Sequence, residues 1–166
     1  MFSIQNFKQL ADLKEELESL KVQTNQIVEL EVHPAMENAI KLLYKEMMKY
    51  LETNGLEVLD NGNSFVASYK KGTIKVSLIG ILRSLKISVN SQEIDRIDAT
   101  VIPGRYQTQK VSINPDEFEK EIDDIQKEIE TYKSLLYSYS TLNVVYQNKS
   151  NIVFATAEDV IKNYFG

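Results

Sequence analysis

From Phe118 to Tyr139 the apolar residues Phe118, Ile122, Ile125, Ile129, Tyr132, Leu136 and Tyr139 recur at alternating spacings of four and three. On a helix that spacing forms one narrow stripe, the heptad seam of a coiled coil. A second, shorter seam runs through Leu10, Leu13, Leu17, Leu20, Thr24 and Ile27. Thr24 is its polar position, expected to weaken packing locally and to fix register. Stripes this narrow bind helices rather than substrates.

The first helix is predicted over residues 4–32, and His33-Pro34 is expected to bend or break it. Proline has no backbone N–H and disfavours helical geometry in the residue before it. A second helix follows, in which Met36, Ile40, Leu43, Met47 and Tyr50 form a stripe that Ala39, Leu42 and Leu51 widen into a face suited to a globular core. It ends at Asn54-Gly55, a C-cap signal.

The period then changes to two. Leu56–Leu59, Phe65–Lys70 and Thr73–Ile79 are separated by the turn signals Asp60-Asn61-Gly62-Asn63 and Lys71-Gly72. Phe65, Ala67 and Tyr69 share a face, as do Ile74, Val76 and Leu78, and Leu85, Ile87 and Val89 continue the alternation. Further strands are predicted over Arg96–Ile102 and, more polar and suited to an edge, Arg105–Ile113. Asn114-Pro115-Asp116-Glu117 opens the long third helix with a capping residue, a first-turn proline and acids at the positive end of the dipole. Val144–Gln147 and Ile152–Ala155 flank a polar turn as a small hairpin, and Thr156 caps a terminal helix.

These elements predict an α+β fold: an antiparallel β-meander of four to six strands packed against helices, with long N-terminal and C-terminal coiled-coil-type helices. Residues 1–32 are expected to form the N-terminal coiled-coil helix. Residues 33–166 are expected to form an α+β domain that includes the long acidic helix, at about 115–141, and the small C-terminal hairpin and helix.

Composition narrows the class. A chain of 166 residues with 43% hydrophobic and 26% charged residues has enough apolar side chain to fold around a core. No apolar stretch approaches the roughly 20 residues that cross a bilayer, and Lys8, Asp12, Lys14 and Glu15 stand where a signal peptide needs an apolar block. The expectation is a cytoplasmic protein with no membrane contact. The absence of cysteine removes disulfides, thiolate nucleophiles and cysteine-containing zinc sites, and fits a reducing compartment.

Candidate chemistry is sparse. His33 is the only histidine, and beside Pro34 it reads as a cap or a partly exposed side chain rather than a general base. Glu93, Asp95 and Asp98 are the tightest acidic cluster outside the helices, but their spacing matches no calcium loop. Asp95 and Asp98 would face opposite ways in one strand, so a solvated turn is the reading preferred. Gly72, Gly80 and Gly104 begin no phosphate-binding motif, and Asn148-Lys149-Ser150 matches a glycosylation tripeptide with no secretory signal beside it. No catalytic residue, cofactor or metal is assigned, and the chain is read as a non-enzyme.

Charge is patterned more clearly. Residues 1–56 sum to −3, residues 57–112 to +3 and residues 113–166 to −5, so the predicted sheet is basic and the helices are acidic. Lys70, Lys71, Lys75, Arg83, Lys86, Arg96, Arg105 and Lys110, with Tyr69 and Tyr106 nearby, offer a basic sheet face, marked by Lys70, Lys75 and Lys86, on which a single strand of nucleic acid would be held. Glu119, Asp123 and Asp124 mark an acidic helix face able to imitate a phosphate backbone. For both, an ordinary solvated surface is the plainer account, and a net charge of −5 does not favour nucleic acid.

The seams also carry matched charges. With Leu10 and Leu17 at a positions, Glu16 at g would face Lys21 at e of an identical parallel helix. With Ile122 and Ile129 at a, Glu128 would likewise face Lys133. A homodimer and an internal pairing of the two helices are both compatible with this pattern. The expected function is binding to a protein partner as an adaptor, scaffold or inhibitor. The alternatives are an acidic nucleic-acid mimic that inhibits a nucleic-acid-handling enzyme and a single-stranded nucleic-acid binder using the basic sheet.

Overall fold

The two heptad stripes meet each other within the chain. The structure, a computed structural model, describes residues 3–101, 117–140 and 142–166, without the side chains of Glu117 and Phe118. The predicted strand at Arg105–Ile113, the helix start at Asn114-Pro115-Asp116 and the Phe118 seam side chain lie outside the described residues. Two compact units result, one containing helices α1 (Ile4–Ile27) and α3 (Glu117–Ser140), the other containing helix α2 (His33–Thr53), a sheet and a short helix α4 (Ala157–Phe165). The long acidic helix therefore groups with the N-terminal helix rather than with the sheet.

In the helical unit, Ser3 caps α1 by accepting a hydrogen bond from the Asn6 backbone N–H at 3.3 Å. Leu10 and Leu17 of α1 and Ile122, Ile125 and Ile129 of α3 are buried in one cluster, with Leu13, Leu20 and Tyr132 packed around it. Ion pairs flank the apolar line: Lys14 with Glu121 at 3.1 Å, Lys21 with Glu128 at 3.6 Å and Glu16 with Lys133 at 3.6 Å. From the first pair to the second, both helices advance by one heptad in the same direction, so α1 and α3 run parallel. Thr24 is buried on the seam, and its hydroxyl donates to the Leu20 carbonyl at 2.7 Å, which satisfies it inside its own helix.

The expected break at His33-Pro34 is replaced by a wider turn just before it. Residues Val28–Val32 form a π-helical turn, and α2 begins at His33 itself. In an uninterrupted α-helix the Leu30 carbonyl would need the N–H that Pro34 lacks. Shifting to the longer π spacing one turn earlier relieves that mismatch without ending the helical backbone.

The sheet has seven antiparallel strands in sequence order: β1 (Glu57–Asp60), β2 (Ser64–Tyr69), β3 (Gly72–Ile79), β4 (Ser84–Val89), β5 (Gln92–Val101), β6 (Val144–Asn148) and β7 (Val153–Phe154). The predicted C-terminal hairpin is β6 and β7. It extends the same meander by pairing β6 with β5, where Ala99 opposes Tyr146. Gly62 holds φ at +96° in the β1–β2 turn, a conformation that side chains with a Cβ resist, and its N–H donates to the Asp60 carboxylate at 2.8 Å.

One face of the sheet is the core. Phe65, Ala67, Val76, Leu85, Ile87, Ile97 and Ala99 are buried on it beneath Ile40, Leu43, Tyr44, Met47 and Leu51 of α2. α2 touches every strand from β1 to β6. Its 21 residues make a rod of about 31 Å, enough to cross strands spaced about 4.8 Å apart. Its apolar face is wide because it meets a surface, whereas those of α1 and α3 are narrow because each meets one helix. α4, capped by Thr156 accepting from the Asp159 N–H at 3.2 Å, adds Ala157, Val160 and Ile161 to the core.

The helical unit yields a first prediction, set by the contrast between its seam and its flanks. Ile129, 3% exposed, should cost about 2–4 kcal/mol when replaced by alanine, through lost burial and a residual cavity. Lys14→Ala should cost no more than about 0.5 kcal/mol, because that ion pair is exposed and screened. Urea unfolding followed by circular dichroism measures both; equal costs would mean that charge, not the apolar line, holds the pair together.

Candidate interaction surfaces

The seam residues form two helices' worth of mutual contact rather than an open surface. Leu10, Leu13, Leu17, Leu20, Ile122, Ile125, Ile129 and Tyr132 cluster together, while Ile27, Leu136 and Tyr139 are half-buried on the later turns of their helices. The acidic positions divide. Glu119 and Asp124 are exposed, but Asp123 is buried and accepts an ion pair from Lys127 at 3.0 Å. These three residues do not form one continuous exposed acidic face.

The basic positions divide as well. Lys75 and Lys86 point from the sheet face opposite α2, whereas Lys70 sits in the β2–β3 turn with φ of +53° and its ammonium 5.4 Å from the centre of the Tyr69 ring. Arg96 of β5, another of the expected basic positions, lies directly opposite Lys86 of β4. Lys75, Lys86 and Arg96 thus run across three adjacent strands. Beside them lies a shallow groove of about 400 Å³ lined by Val66, Thr73, Lys75, Lys86, Ser88 and Ser91. From β2 to β5 this face is otherwise mostly Ser and Thr, with Val66 and Ile79, and carries no aromatic side chain.

Two carboxylates on this face are already engaged. Asp98 accepts from Arg96 at 3.1 Å and from the Ser84 hydroxyl at 2.5 Å. Glu93 is bonded by the Lys149 ammonium at 2.7 Å, and that bond, outweighing a small burial effect and helped by the charges of Lys149, Lys86 and Arg96, holds its carboxyl below the usual carboxylate range. Among the described residues, Lys75 and Lys86 form no ion pair.

The acidic cluster Glu93, Asp95 and Asp98 lies in β5, not in a solvated turn. A bulge between Ile87 and Ser88 on one strand and Glu93 to Asp95 on the other shifts the phase, so Asp95 falls opposite Ile87 on the helix-covered side. There the Tyr164 hydroxyl donates to Asp95 at 2.5 Å and accepts from the Asn148 side-chain amide at 3.1 Å, while the Lys149 N–H donates to Asp95 at 3.2 Å. Burial pushes the Asp95 carboxyl up, but the bonds from Tyr164 and from the Arg96 and Lys149 backbone together outweigh it and leave it below the usual range. Tyr164 is pushed up to about 12 by burial and then by Asp95. This network joins α4, β5 and the β6–β7 turn. Nothing local in the sequence announces it, since its members are 16 and 69 residues apart.

His33 is half-buried at the first position of α2. Between α2 and α4 lies a recess of about 440 Å³ with Tyr50 and Ile161 in its lining and a rim of Glu46, Lys49, Glu158 and Lys162, so its charge favours neither sign of ligand. Among the described residues no group of three His, Cys, Asp or Glu side chains is placed to hold a metal ion, and no helix is long and apolar enough to cross a membrane. Compared with protein-family models, with curated proteins and with solved structures, the chain matches none.

The Asp95 network makes stability pH-dependent in a defined direction. A carboxyl whose folded pKa lies below its unfolded value stabilises the fold above about pH 4, and that contribution disappears as pH falls through the folded pKa. Asp95→Asn should therefore destabilise the protein at pH 7, and the gap to the parent should narrow steadily below about pH 4. Thermal melts across that range check it; a gap that widened on acidification would mean that Asp95 is not the favoured anion of the network.

Proposed function

We propose that the chain is a non-catalytic protein-interaction module of the cytoplasm, in which α1 and α3 form an internal parallel two-stranded coiled coil attached to an α+β unit. The ion pairs carry this reading. Glu16 and Lys133, Glu128 and Lys21, and Glu121 and Lys14 each join a g position to the following e position of the other helix, in one common register. The apolar stripes are used within the chain, so the surfaces left for a partner are the outer faces of the helices and the exposed part of the sheet face opposite α2. Among the described residues that face carries no aromatic side chain from β2 to β5, which weighs against single-stranded nucleic acid, held as it is by stacking as well as by charge.

The test places a photo-crosslinking amino acid at Val22, a residue 51% exposed on α1, and irradiates cells that express the full chain. Protein adducts that persist after nuclease treatment are expected. Adducts that vanish with nuclease would point to nucleic acid as the partner. In parallel, His33→Ala should leave folding and these adducts unchanged; loss of a measurable turnover in that variant alone would sink the non-catalytic reading.

A further inference from the structure

We propose that the sheet face opposite α2, at β3 to β5, binds the outer face of α1 from a second copy of the chain, so that the protein associates with itself through charge. The inference rests on the reading of the chain as an interaction module and names its partner. On the sheet, Lys75, Lys86 and Arg96 follow one another across β3, β4 and β5, and the two neighbouring carboxylates are engaged by Lys149, Arg96 and Ser84. On α1, the exposed residues Asp12, Glu15 and Glu18 occupy the side turned away from the seam and form no ion pair among the described residues.

The two surfaces are complementary in sign. Lys75 pairs with Ser88 and Lys86 with Ser77, so the two ammonium groups stand diagonally on neighbouring strands, and with Arg96 held by Asp98 they are the cations open to the carboxylates of α1. The surrounding serine and threonine hydroxyls offer further donors to carboxylate oxygens. Each copy carries both surfaces, so like copies are complementary to one another. Exposed ion pairs are individually weak and screened by salt, which predicts an association that is modest and strongly salt-dependent.

Sedimentation velocity on the full chain at about 100 µM should show dimer at low salt, with the dissociation constant rising at least about tenfold between about 0.05 and 0.5 M salt. Two charge-reversed variants, Lys75→Glu with Lys86→Glu and Glu15→Lys with Glu18→Lys, should each be monomeric. Mixed together they should associate again, because each then meets its complement in the other. Circular dichroism confirms that both remain folded, and the neutral pair Lys75→Gln with Lys86→Gln should also weaken association if a reversal misfolds.

A parent chain that stays monomeric at low salt overturns the proposal, as does a dimer indifferent to salt or a mixture that fails to associate. A monomeric parent that still forms nuclease-resistant adducts at Val22 would leave the interaction-module reading standing with a different protein as partner. Binding of a single-stranded oligothymidylate by a monomeric parent, lost in the lysine reversal, would assign the face to nucleic acid instead.

Discussion

The parallel register of α1 and α3 is the constraint on which the helical unit depends. Neither helix has a second apolar face of its own, and in proteins most helical stability comes from tertiary packing of the apolar face. Each becomes stable by burying a single line of Leu and Ile side chains against the other. The apolar line supplies the energy, while the flanking charges choose the alignment. A slip of one heptad would preserve much of the apolar contact but would move Thr24 against a different neighbour and carry Lys14, Lys21 and Glu16 past their partners. Weak, exposed ion pairs are suited to that task because alignment requires only a difference between competing registers.

The sheet unit solves a different problem, that of covering a wide surface with little helix. α2 lies across the strands, and tyrosines fasten the layers where apolar packing alone would leave polar groups stranded. The Tyr44 hydroxyl donates to Asp60 at 2.6 Å, Tyr146 to the Ala39 carbonyl at 2.8 Å and Tyr164 to Asp95 at 2.5 Å. In each case the ring contributes to the core and the hydroxyl reaches a partner on another element. Burial followed by the bond to Asp60 raises the Tyr44 hydroxyl well above its ordinary range, so these groups remain neutral donors at any physiological pH. No buried side-chain nitrogen or oxygen lacks a partner among the described residues.

The sequence foretold most elements because their signals are local. Heptad spacing marked α1 and α3, the wider stripe marked α2, and alternation with Asp60-Asn61-Gly62-Asn63 and Lys71-Gly72 marked the first hairpins. What failed to show was set by distant partners. A seam does not reveal which helix it meets, and here the ambiguity is complete: the residues that would pair Glu16 with Lys21 and Glu128 with Lys133 between copies instead pair Glu16 with Lys133 and Glu128 with Lys21 within one. The β6–β7 hairpin was legible as a hairpin but not as an extension of the meander, since its pairing with β5 spans an intervening helix. Asp95 escaped because a bulge changes the side-chain phase, and strict alternation cannot locate a bulge in advance. Of the basic positions legible in the sequence, Lys75, Lys86 and Arg96 share one face of the sheet, whereas the turn places Lys70 beside Tyr69.

The segregation of charge follows from this division of labour. A two-helix pair buries only a narrow strip, so most of its surface is solvated and can carry acids at little cost; like-charge repulsion along it is limited by screening within about 8–10 Å. A sheet face without a helix over it faces a sharper constraint, because exposed apolar strands invite edge and face association. Lysine and arginine meet that constraint well, since their long stems can cover apolar surface while their charges reach water. The same choice makes the face adhesive towards acids, and a chain that exposes Asp12, Glu15 and Glu18 elsewhere supplies such a surface at the protein's own concentration. On the proposed self-association, solubility and attraction would be two consequences of one set of side chains, with ionic strength deciding which prevails.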